Sequence, residues 1–217
     1  MLLLTRITCN NNASFALLWF AACSALLVLI FRWVPPPGTA LMVERKIESW
    51  VDGQPIDLQR SWRPWDEISN ELKVAVIAGE DQKFAEHWGF DFSAIRAAFA
   101  HNEQGGTLRG ASTLSQQVSK NLFLWSGRSW LRKGLEAWFT ALIEVLWPKQ
   151  RILEVYLNSA EWDEGVFGAE AALAIFGRGH AVKPHQSMQT KACQGFAPFR
   201  LAVLRAADKI EHRQQTG

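Results

Sequence analysis

From Ser14 to Val34 the chain reads SFALLWFAACSALLVLIFRWV, with Arg32 as its one charge. About 20 apolar residues in a row suffice to cross a bilayer as a helix, which satisfies its own backbone polar groups inside lipid. Residues 14–34 are therefore expected to form a transmembrane helix after a short tail at 1–13. A cleaved signal peptide is the competing reading. The run is longer than a signal core, however, and Pro35, Pro36 and Pro37 do not make a small-residue cleavage site. Arg6 lies on one side of the run and Arg32, Arg45 and Lys46 on the other, which mildly favours a cytoplasmic domain. Large domains translocate regardless of such charges, so charge leaves the orientation open.

The remaining length and composition fit one compact domain. Of 217 residues, 48% are hydrophobic and 20% charged, enough for one core and too few for two large soluble units beside an anchor. With 23 basic and 21 acidic residues the net charge is +2, so no overall basic field points to nucleic acid. Cys9, Cys23 and Cys193 have neither metal-ligand nor disulfide spacing. Eleven Trp against one Tyr is unusual, and core packing is the expected role for most of them.

Pro35 to Gly38 ends the membrane helix and opens a linker over 35–42, followed by a short amphipathic element at Ala40 to Trp50. Asp66 is placed to cap a helix whose Ile68, Leu72, Ala75 and Val76 recur at helical spacing and which delivers Glu80 near its end. Asp91 caps the next, with Ile95, Ala98 and Phe99 on its apolar face. His101 to Gly110, with Gly105-Gly106, reads as a loop. A further helix starts in the Ser112 block and runs to Leu124. Ser129 caps a long one with Leu131, Leu135, Trp138, Phe139, Leu142 and Leu146 buried, ending before Pro148. Lys149 to Asn158 forms the last. Sustained alternation of strand length is missing, so the fold class is mainly α, two helical lobes around a cleft behind the membrane helix.

Two polar stretches carry the chemistry. GEDQKFAEHWGFD (Gly79 to Asp91) offers a carboxylate for proton transfer, and GASTLSQQVSKN (Gly110 to Asn121) offers hydroxyls, amides and an ammonium suited to phosphate and sugar oxygens. Each has a bland rival. Glu80 can pair with Lys83 at i+3, and Glu136 follows Arg132 and Lys133 at the spacing of a surface salt-bridge ladder. His87 is expected to buttress the Glu80 loop. Glu154 and Glu161 suit capping or solvated roles, and Gly165 and Gly168 suit turns. Trp88, Phe90 and Phe92 are candidates for a membrane-facing surface, whereas spacing puts Phe99 in the core.

At these motifs the chain resembles peptidoglycan glycosyltransferase family 51, the transglycosylase domain of class A penicillin-binding proteins and of monofunctional biosynthetic enzymes. Four blocks match in order. They are Glu80-Asp81 with Phe84, His87, Gly89 and Asp91; Gly110 with Ser112-Thr113-Leu114, Gln116-Gln117 and Lys120-Asn121; Arg132-Lys133 with Glu136; and Lys149 through Asn158, followed by Gly165 and Gly168. The match covers roughly Val43 to Ala172, and no transpeptidase pattern follows, as expected of the monofunctional form.

The resemblance implies a lysozyme-like helical fold at 43–187, a single-pass anchor in the bacterial inner membrane and a catalytic domain in the periplasm. It implies lipid II and the nascent glycan strand as substrates, with cell-wall synthesis or division proteins as further partners. By motif position the resemblance makes Glu80 the catalytic base. It implies Glu136 as the second catalytic carboxylate, expected near the pyrophosphate and holding a divalent metal, magnesium or manganese, or orienting basic side chains. Lys120, Arg132 and Lys133 would neutralise the leaving pyrophosphate, and Ser112, Gln116, Gln117 and Asn121 would bind phosphate and sugar.

Past Gly168 the family's aromatic-glycine turn and proline motif are met weakly by Phe176-Gly177 and Pro184 to Ser187, and 188–217 reads as a divergent C-terminal segment. Two other functions compete with polymerisation. A lytic transglycosylase would need a glutamate acid but no pyrophosphate clamp. A membrane-anchored scaffold would bind lipid II or division proteins without catalysis.

Overall fold

The computed structural model describes residues 2–103 and 110–169, with side chains from residue 14 onward. The Gly105-Gly106 loop, Cys193, the Phe176-Gly177 and Pro184 to Ser187 turns and the segment 188–217 lie outside the described residues. Within them the expected mainly α class is borne out. The elements run α1 (Leu2–Phe31), α2 (Ala40–Val51), β1 (Gln59–Arg60), α3 (Asn70–Glu80), α4 (Phe92–Glu103), α5 (Leu114–Phe123), α6 (Trp130–Leu146), α7 (Lys149–Ser159), β2 (Glu161–Asp163) and β3 (Val166–Phe167). The strands form a small sheet in the order β1-β3-β2, β1 parallel and β2 antiparallel to β3. Strands this short leave no alternation to read from the sequence. Gly165 and Gly168, with φ of +73° and +87°, make the expected turns beside it.

Helix α1 stops at Phe31, three residues short of the expected span, and Arg32 to Val34 form a turn before the prolines. Its stretch Ser14–Phe31 has mean hydropathy 2.4, and only 11% of it is buried in the protein. A helix that apolar and that uncovered is a candidate membrane anchor. Its last turns are nevertheless tied to the domain. Trp147 Nε1 donates to Val28 O at 2.7 Å, Arg32 donates to Leu146 O, and Arg151 donates to Phe31 O at 3.1 and 2.9 Å and to Val34 O at 3.0 Å. Carbonyls at a helix C-terminus have no partner within the helix, and a guanidinium there also meets the negative end of the dipole.

Two of the three caps read from the sequence, Ser129 and Asp91, are present, and Thr39 caps α2 as well. Thr39 accepts Met42 N–H at 3.1 Å, Ser129 accepts Arg132 N–H at 3.1 Å, and Asp91 accepts Ala94 N–H at 2.9 Å. At α3 the cap is Ser69, which accepts Leu72 N–H at 3.2 Å, and not Asp66, which sits in a separate 3₁₀ turn, Trp65–Glu67. The backbone at Ile68 is extended (ψ 130°), so the 3₁₀ turn and α3 cannot be one helix.

The core gathers Leu72 and Val76 from α3, Leu114, Val118 and Leu122 from α5, Phe139 and Ile143 from α6, and Ile152, Val155, Tyr156 and Leu157 from α7. Phe123 and Phe139 stack with centroids 4.4 Å apart. Three side chains expected inside are outside. Phe99 is 67% exposed, because α4 rests on the neighbouring Ala98, and Leu131 and Trp138 of α6 are 71% and 38% exposed. On α6 the buried side runs through Glu136, Phe139, Thr140, Ile143 and Glu144. Its three polar members all find partners inside, which hydrophobic periodicity cannot foresee.

Candidate active site

Glu80 is the last residue of α3 and stands at a cleft of about 410 Å³ that Lys83, Asp91, Gly110, Ser112 and Thr113 also line. It does not pair with Lys83, whose Nζ goes to Ser93 Oγ at 2.9 Å. Instead Gln117 Nε2 donates to Glu80 Oε2 at 3.0 Å. Behind it the phenol of Tyr156 is 1% exposed, and burial, then the charge of Glu80, push its pKa up, so it stays neutral.

A buried frame holds this end of α3. Asp81, beside Glu80, accepts His87 Nε2 at 2.9 and 3.0 Å and the backbone N–H of Leu114 at 3.0 Å. An anion at the first turn of α5 is where the helix dipole favours one. Thr113 donates its hydroxyl to Gly89 O at 2.6 Å and caps α5 reciprocally with Gln116. Glu144 accepts Ser115 Oγ and, at 2.9 Å, Lys149 Nζ, which also donates to His87 O at 2.7 Å. Gly89 fills the gap between them at φ +79°. A Cβ there would lie 2.7 Å from Thr140 Cγ2 and 2.9 Å from Glu144 Cγ.

The second group combines Lys120 of α5 with three residues of α6. Glu136, 3% exposed, accepts Arg132 Nη1 at 2.9 Å and also Lys133 Nζ. Lys120 lies in the electrostatic reach of all three. Its pKa is held below the ordinary lysine value first by burial, with Arg132 and Lys133 pushing the same way and Glu136 opposing them. Such a cluster, two cations fixed by a shared carboxylate and a third nearby, is suited to a polyvalent anion.

It fits the expected metal less well. The two oxygens of Glu136 already have cationic partners, and among the described residues no group of three His, Cys, Asp or Glu side chains could hold an ion. Arg132 and Lys133 stand where a cation would have to stand, and the arrangement matches the alternative role, a carboxylate that orients basic side chains.

The two groups are joined by α5. Gln117, bonded to the base candidate, and Lys120, in the cation cluster, are one helical turn apart on the same side. Ser112 lines the cleft, whereas Gln116 is 5% exposed with its carbonyl spent on Thr113 N–H at 3.1 Å, and Asn121 is 7% exposed. Gln116 thus serves the helix cap rather than the open cleft.

The transglycosylase family model matches residues 48–214. The chain belongs to the transglycosylase family. Similar relatives include the biosynthetic peptidoglycan transglycosylase of Pseudomonas fluorescens strain Pf0-1, 87% identical over 157 residues, covering 72% of this chain and 65% of that protein. That of Pseudomonas syringae pv. tomato DC3000 is 83% identical over the same length, covering 72% and 66%, and that of Pseudomonas putida KT2440 is 79% identical over 165 residues, covering 76% and 70%. The matched stretch thus spans about two thirds of the relatives' length. The family match runs beyond the domain boundary expected at residue 187.

In this transglycosylase domain the sequence reading gave Asp81, Lys149 and Tyr156 only as members of motif blocks, without the contacts they make, and passed over Glu144 altogether. Asp81 was legible only as a neighbour of Glu80. Glu144 and Lys149 flank Trp147-Pro148 and look like ordinary helix-end charges until folding sets them against Ser115 and the His87 carbonyl.

Proposed function

We propose that the chain is a peptidoglycan glycosyltransferase that polymerises lipid II. α1 crosses the inner membrane and holds the domain in the periplasm. The acceptor's 4-hydroxyl on N-acetylglucosamine attacks carbon 1 of the donor muramyl sugar from the face opposite the pyrophosphate. The new bond joins oxygen 4 to carbon 1, the bond from carbon 1 to the phosphate oxygen breaks with inversion, and the hydroxyl proton passes to Glu80. Gln117 holds the carboxylate in position through its 3.0 Å bond. Charge grows on the departing undecaprenyl pyrophosphate, and Lys120, Arg132 and Lys133 meet it there.

The observation that carries this reading is the one-turn spacing on α5 between the partner of the base and the cation cluster. Cleavage of a glycan by a lytic enzyme expels a sugar hydroxyl and not a pyrophosphate, which gives no use for three clustered cations.

The test incubates the detergent-purified chain with labelled lipid II and sizes the products, beside Glu80→Gln. Polymer from the parent and a loss of about 10²-fold or more in the variant is expected, the range typical of a lost general base. Lipid II captured without release of undecaprenyl pyrophosphate would leave the scaffold reading instead. Titrating magnesium and manganese in the same assay checks the metal, through which no step above is routed.

A further inference from the structure

Glu44, on α2, lies outside all four motif blocks and 82 residues from the group it binds. Its two carboxylate oxygens share the backbone N–H of Ser126, at 3.0 and 2.8 Å. Ser126 belongs to the loop between α5 and α6, and a charge-assisted bond of this kind is about twice as strong as a neutral one. The adjacent Arg45 turns elsewhere, to Glu161 at 2.9 Å and to Glu48 at 3.0 Å.

The next residue carries the hold onward. Gly127, at φ +138°, where side chains are disfavoured, accepts Arg132 Nε at 2.7 Å, and Ser129 accepts the N–H of Arg132 at 3.1 Å. Arg132 in turn donates Nη1 to Glu136 at 2.9 Å. One chain of bonds therefore runs from α2 through the loop to a guanidinium of the cation cluster. The charge of Glu44 reaches that cluster as well. Burial is the largest influence on the Lys120 ammonium and lowers its pKa, and Glu44 opposes it together with Glu136, the stronger of the two.

We propose that Glu44 is a positioning residue of the anion clamp, fixing Ser126 and Gly127 so that the Gly127 carbonyl holds the Arg132 guanidinium in place for a pyrophosphate. The inference rests on the reading that Lys120, Arg132 and Lys133 meet that group. A guanidinium is a planar fork that binds phosphate oxygens in pairs, so its orientation matters as well as its charge. Glu136 holds one end of the fork and the Gly127 carbonyl holds its Nε. Glu44 ties down the loop that offers this carbonyl, which gives α2, the first helix after the linker, a share in binding the leaving group.

The test measures binding of labelled lipid II to the full chain in detergent, in a Glu80→Gln background that suppresses turnover, with polymerisation by the parent run beside it. Glu44→Ala is expected to weaken binding about tenfold, the usual effect of one lost charged hydrogen bond to a ligand. Glu44→Gln, whose amide oxygen still accepts the Ser126 N–H, is expected to recover most of it. In an Arg132→Lys background, which has no Nε for Gly127, Glu44→Ala is expected to change binding less than about twofold, the ordinary error of additivity. Arg45→Ala, which loosens α2 from β2 and leaves the loop bond in place, is expected to have as little effect. Equal losses from Glu44→Ala in both backgrounds overturn the proposal, because Glu44 then does not act through Arg132. So does an unchanged affinity in Glu44→Ala, or a loss in Arg45→Ala as large as its own, which marks a general effect of α2. The expected binding pattern in a chain whose parent makes no polymer leaves the proposal standing and removes the transferase reading. A chain that binds no lipid II overturns both.

Discussion

Glu136 has almost no contact with solvent, and a buried carboxylate is tolerated only where cations and hydrogen bonds replace its water. Arg132 and Lys133 do so, and the same negative charge opposes the loss of the proton from Lys120. The sign is worked from the direction of that shift. A lysine depressed below 10.5 in the folded protein makes its protonated form unfavourable to folding at every pH below the folded value. The penalty is relieved as pH rises from the folded value toward the unfolded one. For anion binding the order is opposite, since the ammonium is needed and is lost as pH rises through the depressed value. Glu136→Gln removes the opposing charge, so the alkaline limb of the pH–rate profile is expected to move to lower pH. Lys120→Arg is expected to move it up, because a guanidinium keeps its charge. An unmoved limb in both variants, read from the pH–rate profiles of the parent and each variant, would remove Lys120 from the clamp.

Among the elements, α5 depends most on its first residue. Thr113 accepts Gln116 N–H at 3.3 Å while donating to Gly89 O, so one hydroxyl both starts the helix and holds the loop behind Glu80. Thr113→Ala is expected to lower stability by about 1–2 kcal/mol in urea titrations, as lost caps do, and Thr113→Ser to recover most of it. Helix ends of this kind were legible in the sequence at Ser129 and Asp91, because a cap is a local pattern of one side chain and a donor three residues on. The failure at Asp66 was local too, since the extended backbone at Ile68 gave the cap to Ser69. Faces were harder to read. Leu131 and Trp138 looked like core because apolar spacing marks a stripe without saying what lies against it. Of the site, the motif residues could be read, but their mutual placement needed long-range bonds such as Gln117 to Glu80 and Asp81 to Leu114, between residues 37 and 33 apart.

At the scale of the whole molecule, Arg151 joins the anchor to the domain. It is 8% exposed and donates to Phe31 O at the end of α1, to Val34 O in the turn after it, and to Glu154 at 3.0 Å. Arg151→Met is expected to lower stability by roughly 3 kcal/mol or more, the usual effect of breaking a buried charge network. The readout is thermal unfolding of the full chain in detergent, and a loss no larger than that of an exposed control such as Arg96→Met would show that the junction is held by packing alone. With Trp147 and Trp138 also bonded to α1, the anchor is a wall of the domain and not a leash. A leashed cleft would sample many heights and headings above its substrate. In the membrane setting proposed above, only sideways drift and spin about the membrane normal would remain, so encounters would take place in a plane, and their frequency would follow how many substrate molecules occupy each unit of membrane area.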